Sequence, residues 1–215
     1  MDRRLSELSS SLLFDAHIRL GIEPRVLSYK LNPIFEKKIF GRCYNLKGAT
    51  NVTNEQKLNS RLFFERIPEG SVIMIETGDS EGVGHWGELM SHAALKQGVR
   101  GVVVNGGCRD VEEIKKLSFP VYCVYSSPFE SGSKYCIGEY EVDIELPGID
   151  NSNIYIRHNF DFVFADTDGV IIIKEKNLDS IVEKAIEIRN NEIKTIQDIK
   201  DGIIVNEAFV KNNVV

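Results

Sequence analysis

The chain has 215 residues, 42% of them hydrophobic and 27% charged, with a formal net charge of −6. That composition suits one soluble globular domain with a sizeable core. The acidic balance argues against a dominant nucleic-acid surface, and no Lys/Arg cluster offers a local one. No apolar run approaches the ~18 residues of a spanning helix, and the start, MDRRLSELSSSLLFDAHIRLG, lacks the apolar stretch of a secretory signal. Cys43, Cys108, Cys123 and Cys136 form no CxxC pair or disulfide framework and read as reduced thiols, so the cytoplasm is the expected location.

In chain order, Leu5–Leu20 reads as an opening helix and KIFGRCYNLKGATN as a strand ending in turn residues. NEQKLNSRLFFERI has helical spacing, and PEGSVIMIETGD gives a turn, a buried strand and a glycine turn. In GHWGELMSHAALKQGV, Leu89, Ala93 and Leu95 mark a short helix with Gly98 as its C-terminal cap. RGVVVNGG is a strand running into a Gly106–Gly107 turn. RDVEEIKKL is a helix with acids first and lysines last, matching the helix dipole, and FPVYCVYS is a strand. Residues 71–126 therefore alternate strand and helix, which predicts parallel strands with right-handed crossovers. Ligands gather at the carboxyl ends of such strands, so the loops Gly78–Gly87 and Asn105–Asp110 are the candidate sites. From Tyr135 to Lys174 the pattern is β, with ADTDG as a hairpin turn. A long helix to about Asp201 and a short one at NEAFVKN follow. The expected organisation is a single α/β domain over 1–215, with a C-terminal helical extension over about 178–215.

Several residues in the two loops bear chemistry. Asp110 at a helix start reads either as an N-cap carboxylate or as a hard oxygen ligand for Mg²⁺ or Mn²⁺. Arg109 reads as a surface partner of Glu112 or Glu113, or as a guanidinium fork for the oxygens of a keto acid. In GHWGELM, the glycine and the free amides of the next helix, near Glu88, Leu89 and Met90, suit a carboxylate. His85 and His92 are seven apart, a spacing a helix would align, but no further zinc ligands accompany them. His158 shows no sequence partner. Cys108 lacks a base and reads as a packed small residue. Asp166 and Asp168 read as turn residues. Glu183, Glu187 and Glu192 read as one solvated helix face.

GELMSHAALKQGVRGVVVNGGCRDVEEI resembles the RraA-like family, which includes class II 4-hydroxy-4-methyl-2-oxoglutarate aldolases and a regulator of ribonuclease E activity. IPEGSVIMIETGD, FPVYCVYSSP, FVFADTDGVIII and NEAFVKNNVV follow in the family's order, so the resemblance covers about residues 10–215. It implies a swivelling β/β/α-type domain that assembles as a trimer or a dimer of trimers, with sites between subunits. It implies a divalent cation, Mg²⁺ or Mn²⁺, on Asp110, and pyruvate or its enolate on Arg109. The amides of Gly87, Glu88, Leu89 and Met90 would hold the pyruvate carboxylate, and Glu88 would orient metal-bound water. Glu113 matches an acidic position beside the metal, and Glu192 of an adjacent subunit is the match for a completing glutamate. The implied activity is pyruvate release from a 4-hydroxy-2-oxo acid, or oxaloacetate decarboxylation. The alternatives are a non-catalytic ribonuclease regulator, or a lyase for an unusual keto acid. The bulky His85 and Trp86 depart from the small or aliphatic residues expected before Gly87, and would line the pocket.

Overall fold

Apolar side chains point both ways along Ile39–Ala49, because this eleven-residue strand joins two β systems and is covered on both faces. The structure, a computed structural model, describes residues 3–50, 53–132, 134–150 and 152–214. In chain order its elements are α1 (Arg3–Ser6), α2 (Ser10–Arg19), β1 (Arg25–Val26), β2 (Asn32–Pro33), β3 (Ile39–Ala49), α3 (Asn54–Asn59), β4 (Val72–Glu76), β5 (Gly84–Trp86), α4 (Glu88–Lys96), β6 (Gly101–Cys108) and α5 (Val111–Leu117). They continue with β7 (Val121–Ser126), β8 (Cys136–Tyr140), β9 (Ile144–Pro147), β10 (Asn153–Ile156), β11 (Asp161–Asp166), β12 (Gly169–Lys174), α6 (Leu178–Lys200) and α7 (Val205–Lys211). The chain divides into two compact units, Arg25–Glu175 and a second built from both ends, Met1–Pro24 with Lys176–Val215.

In the first unit, the strands run in the order β1-β12-β11-β3-β4-β6-β7-β2, with β5 beside β6 and β8 beside β3. β3 pairs antiparallel with β11 through Ile39–Arg42, then parallel with β4 through Cys43–Lys47. β4, β6 and β7 are parallel, as the alternating pattern requires. Val72, Met74 and Val103 face a core shared with Ile144, Leu146, Ile156, Val163 and Ile172 of β9–β12. Their neighbours Ile73, Ile75, Val102 and Val104 face the other way, onto Phe63, Phe64, Ala94 and Ile114. The parallel sheet thus lies between a second β layer and a helical layer. This is the β/β/α layering expected, and it explains why the central strands are apolar throughout.

The second unit is helical. α2 and α7 both pack on α6, and Arg189 of α6 reaches Glu7 at 2.6 Å. Ile181, Ala185 and Ile188 repeat at helical spacing along the buried stripe of α6. The C-terminal helices therefore share their unit with the N-terminal ones, a long-range pairing without a local sequence signal.

Other local expectations shift. The opening helix is two helices, broken before Ser9, whose hydroxyl accepts the Leu12 N–H. The helical stretch from Asn54 ends at Asn59, and a 3₁₀ turn follows over Leu62–Glu65. The ADTDG hairpin forms, with the Asp168 N–H donating to Asp166 Oδ1 at 3.1 Å.

Leu46 sits fully buried at the middle of β3. Leu46→Ala is expected to cost about 2–5 kcal/mol in urea unfolding. Leu89→Ala, at a side chain 80% exposed, should change stability by less than about 0.5 kcal/mol.

Candidate active site

Gly106 and Gly107 do not turn the chain. β6 runs on through them to Cys108, with Gly107 and Cys108 alongside Gly84 and Trp86 of β5. The glycines are required by proximity. A Cβ at Gly107 would lie 2.3 Å from the Val83 carbonyl oxygen, and one at Gly106 2.6 Å from His85 Nδ1. β5 itself, three residues inside what reads as a loop, is too short to carry a periodic signal. The result is two parallel strand ends side by side, one leading through Gly87 into α4 and the other through Arg109–Asp110 into α5.

His85 fastens this junction. Its Nδ1 accepts the Gly107 N–H at 2.9 Å, so Nε2 carries the proton and donates to Ser80 Oγ at 3.0 Å. Tyr135 stacks edge-on against the ring at 4.6 Å between centroids. Burial pushes the imidazole down to about 4, so His85 is neutral around pH 7. Trp86 is buried, and its indole N–H donates to Ser91 Oγ at 2.8 Å while that hydroxyl donates to the Gly87 carbonyl at 3.0 Å. His85 lies on β5 and His92 on α4, so no single helix aligns the pair; His92 Nε2 lies 3.7 Å from Glu88 Oε1 instead.

Asp110 occupies the N-cap position of α5 in the left-handed conformation, φ 57° and ψ 35°, which Asp tolerates better than most residues. Its side chain does not cap α5. Oδ2 accepts the Glu88 N–H of α4 at 3.2 Å and lies 3.3 Å from Arg109 Nε. The capping expectation is thus corrected in its target: the carboxylate serves the neighbouring helix. Arg109 likewise pairs with Asp110 and with neither glutamate of α5, because Glu112 binds Lys115 at 3.1 Å and Glu113 binds Lys116 at 2.7 Å. Gly84 and Gly87 leave room for this arrangement. A Cβ at Gly84 would meet the Arg109 Cβ at 2.9 Å, and one at Gly87 would meet Asp110 Oδ2 at 2.8 Å.

A cavity of about 520 Å³ opens here, lined by Gly87, Glu88, Leu89, Met90, Arg109 and Asp110. The two candidate segments are therefore brought together. Glu113 is not among the lining residues, and Glu192 lies half-buried on α6 in the helical unit. With the Glu88 N–H occupied by Asp110, the first-turn amides of Leu89 and Met90 remain without intrahelical acceptors. Among the described residues, no group of three or more His, Cys, Asp or Glu side chains is arranged to hold a metal. Among the lining residues, Glu88, Asp110 and Glu130 offer carboxylate oxygens. That fits an ion such as Mg²⁺ or Mn²⁺, which takes one or two carboxylates and keeps its waters.

Sequence reasoning missed Arg61, Glu130 and Tyr135, which also line the cavity. Arg61 falls where the expected helix breaks, and Glu130 lies in a connection bridged to Gly84. Outside the cavity, His158 Nδ1 accepts the Asn45 N–H at 3.1 Å. Cys108 is buried, with its thiol pushed well up by desolvation, so it is no nucleophile.

A model of the RraA-like family, described as aldolase/RraA, matches residues 10–172. The chain belongs to the RraA-like family. Protein DlpA of Legionella pneumophila is 30% identical over 211 residues, covering 96% of this chain. The chain spans only about a third of that relative's length, 32%. A protein of Arabidopsis thaliana named "Putative 4-hydroxy-4-methyl-2-oxoglutarate aldolase 3" is 32% identical over 146 residues, 67% of this chain and 82% of that one. Among solved structures, Streptomyces coelicolor RraAS2, titled an unusual member of the RNase ES inhibitor RraA protein family, superposes with a TM-score of 0.73. That match has 22% identity and covers 88% of this chain and 92% of the other. This RraA-like chain shares the fold of RraAS2.

Gly107→Ala should destabilise the protein by about 1–3 kcal/mol in urea unfolding, since the backbone oxygen of Val83 cannot swing aside. His85 gives a pH signature. Unfolded histidine takes up its proton near 6.5 and folded His85 near 4, so the unfolded state binds more protons between these values. Stability should therefore fall by roughly 3 kcal/mol as pH drops from 6.5 to 4. His85→Gln, followed by unfolding at several pH values, should remove that part of the slope.

Proposed function

We propose that this protein is a divalent-metal-dependent lyase that releases pyruvate from a 4-hydroxy-2-oxo acid, with oxaloacetate decarboxylation as a companion activity. The observation that carries the reading is the joining of Arg109, Asp110 and the α4 N-terminus in one cavity. Relatives named as aldolases support the same class of reaction.

In this reading, the amides of Leu89 and Met90 bind the substrate carboxylate, favoured by the positive end of the α4 dipole. Arg109 directs its guanidinium at the 2-keto oxygen, where negative charge grows as the enolate forms. Asp110 would hold Mg²⁺ or Mn²⁺, which when bound supplies further positive charge to that oxygen. Cleavage breaks the bond between C3 and C4. The 4-hydroxyl loses its proton, its oxygen becomes a carbonyl, and the C3–C4 electron pair enters the pyruvate enolate. Glu88, at the cavity and partly exposed, accepts that proton through a water and returns it to C3. Decarboxylation of oxaloacetate yields the same enolate, so the same groups serve it. Assembly as a trimer or a dimer of trimers would bring Glu192 of a neighbouring copy to the site; Glu113 would support the metal from beside Asp110 once released from Lys116.

The test is pyruvate release from oxaloacetate and from 4-hydroxy-2-oxo acids with Mg²⁺ or Mn²⁺ added. Asp110→Ala and Arg109→Lys should each lower kcat/KM by roughly 10²–10³-fold, and chelation should abolish release reversibly. No pyruvate from any of these substrates, or full activity in Asp110→Ala, would overturn the reading.

A further inference from the structure

The start of α4 carries no cap of its own. Gly87 holds the N-cap position without a side chain, where Ser, Thr, Asn or Asp would ordinarily accept from the first turn. Its backbone is extended, φ −158°, which any residue adopts, so the glycine answers to space instead. A Cβ there would lie 2.8 Å from Asp110 Oδ2. The carboxylate that fills this space comes from the other strand end: it accepts the Glu88 N–H at 3.2 Å and lies 3.3 Å from Arg109 Nε.

That oxygen sits where a ligand anion would settle. Glu88, Leu89 and Met90 form the first turn of α4, whose N–H groups have no partner within the helix and whose dipole favours negative charge. With one oxygen, Asp110 meets a helix amide and a guanidinium together. An acid at Leu89 and Met90 would stand beside it with like charge, and such charges repel. The two carboxylates cannot both be held at full strength.

Nor is Asp110 held as a structural carboxylate is. Asp161 shows that pattern: its side chain is 1% exposed and takes Arg25 at 3.0 Å, the Arg157 guanidinium at 3.3 Å and the Arg157 N–H at 3.1 Å. The side chains of Arg109 and Asp110 are each 35% exposed. Both Asp110 contacts are longer than the ~2.7–2.9 Å of a tight charge-assisted bond.

We propose that the Asp110 carboxylate is a built-in occupant of the substrate's anion seat: it holds the Glu88 amide and the Arg109 guanidinium, and a 2-oxo acid binds by displacing it. The inference rests on the 2-oxo-acid reading of the site given above.

The test is binding of radiolabelled pyruvate by equilibrium dialysis, with EDTA present so that no cation takes part. Wild type is compared with Asp110→Gly, Asp110→Asn and Glu130→Gln. Glycine and asparagine both suit the left-handed backbone of position 110, φ 57°, so these variants should fold. Circular dichroism and the fluorescence of Trp86, the single tryptophan, check that they do. Asp110→Gly should bind pyruvate about tenfold more tightly than wild type, as expected if Asp110 holds the seat about nine-tenths of the time. Asp110→Asn loses the charge but keeps an acceptor for the Glu88 N–H, and should gain clearly less. Glu130→Gln removes a lining acid from another segment and should stay within about twofold of wild type. Equal or weaker binding by Asp110→Gly, or binding by none of the four proteins, would overturn the proposal. So would an equal gain in Asp110→Asn or Glu130→Gln, which would trace the effect to bare charge. Pyruvate release by the wild type with Mg²⁺ is measured separately. Release without the gain would sink the built-in occupant and leave the lyase reading; the gain without release would do the reverse.

Discussion

The site depends on how closely β5 can approach the end of β6. Two strands at this separation leave no room for a Cβ at Gly106 or Gly107 on one side, or at Gly84 and Gly87 on the other. The neutral ring of His85 spans the gap, accepting from the Gly107 amide and donating to Ser80. Because the ring is buried and both nitrogens are used, its orientation is set, and with it the register of the two strand ends. The main binding groups of the proposed reading hang from those ends: the α4 amides from β5, and Arg109 with Asp110 from β6.

Asp110 then couples the two segments electrostatically. A left-handed backbone is a local cost for any residue with a side chain. Here it turns the carboxylate away from its own helix and toward the N-terminus of α4, where the dipole favours negative charge. Arg109 lies along the path cleared by Gly84 and Gly87 and pairs with the same oxygen. One carboxylate thus meets both the Glu88 amide and the Arg109 guanidinium, next to the Leu89 and Met90 amides that the proposed reading gives to a 2-oxo acid. Substrate and metal would have to share or replace these contacts, which ties binding at one segment to the geometry of the other.

Much of this was legible in the sequence, for identifiable reasons. The parallel βα alternation over 71–126 is carried by strong apolar runs and dipole-matched helix ends, and it appears as expected. The meeting of GELM and RD at one cavity was readable because glycines, acids and an arginine concentrate at strand ends. What the glycines do was not. NGG reads as a turn in any local scheme, and only the partner strand β5, with three residues, reveals it as a close approach. The target of the Asp110 carboxylate was hidden for the same reason, since it bonds to a residue 22 positions away. Arg61 carried no signal because its exposure to the cavity follows from a break between α3 and a 3₁₀ turn, inside a stretch with helical spacing throughout. The pairing of α2 with α6 lies equally beyond local pattern, joining the two ends of the chain.

The central claim is that α4, Arg109 and Asp110 form one binding site for a 2-oxo acid and its metal. A crystal structure of the protein with Mn²⁺ and oxalate, a stable mimic of the pyruvate enolate, tests it most directly. The account expects an anomalous peak about 2.1 Å from an Asp110 oxygen, with oxalate oxygens within hydrogen-bond distance of the Leu89 or Met90 amides and of Arg109. Mn²⁺ bound away from Asp110, or oxalate held without these groups, would contradict it.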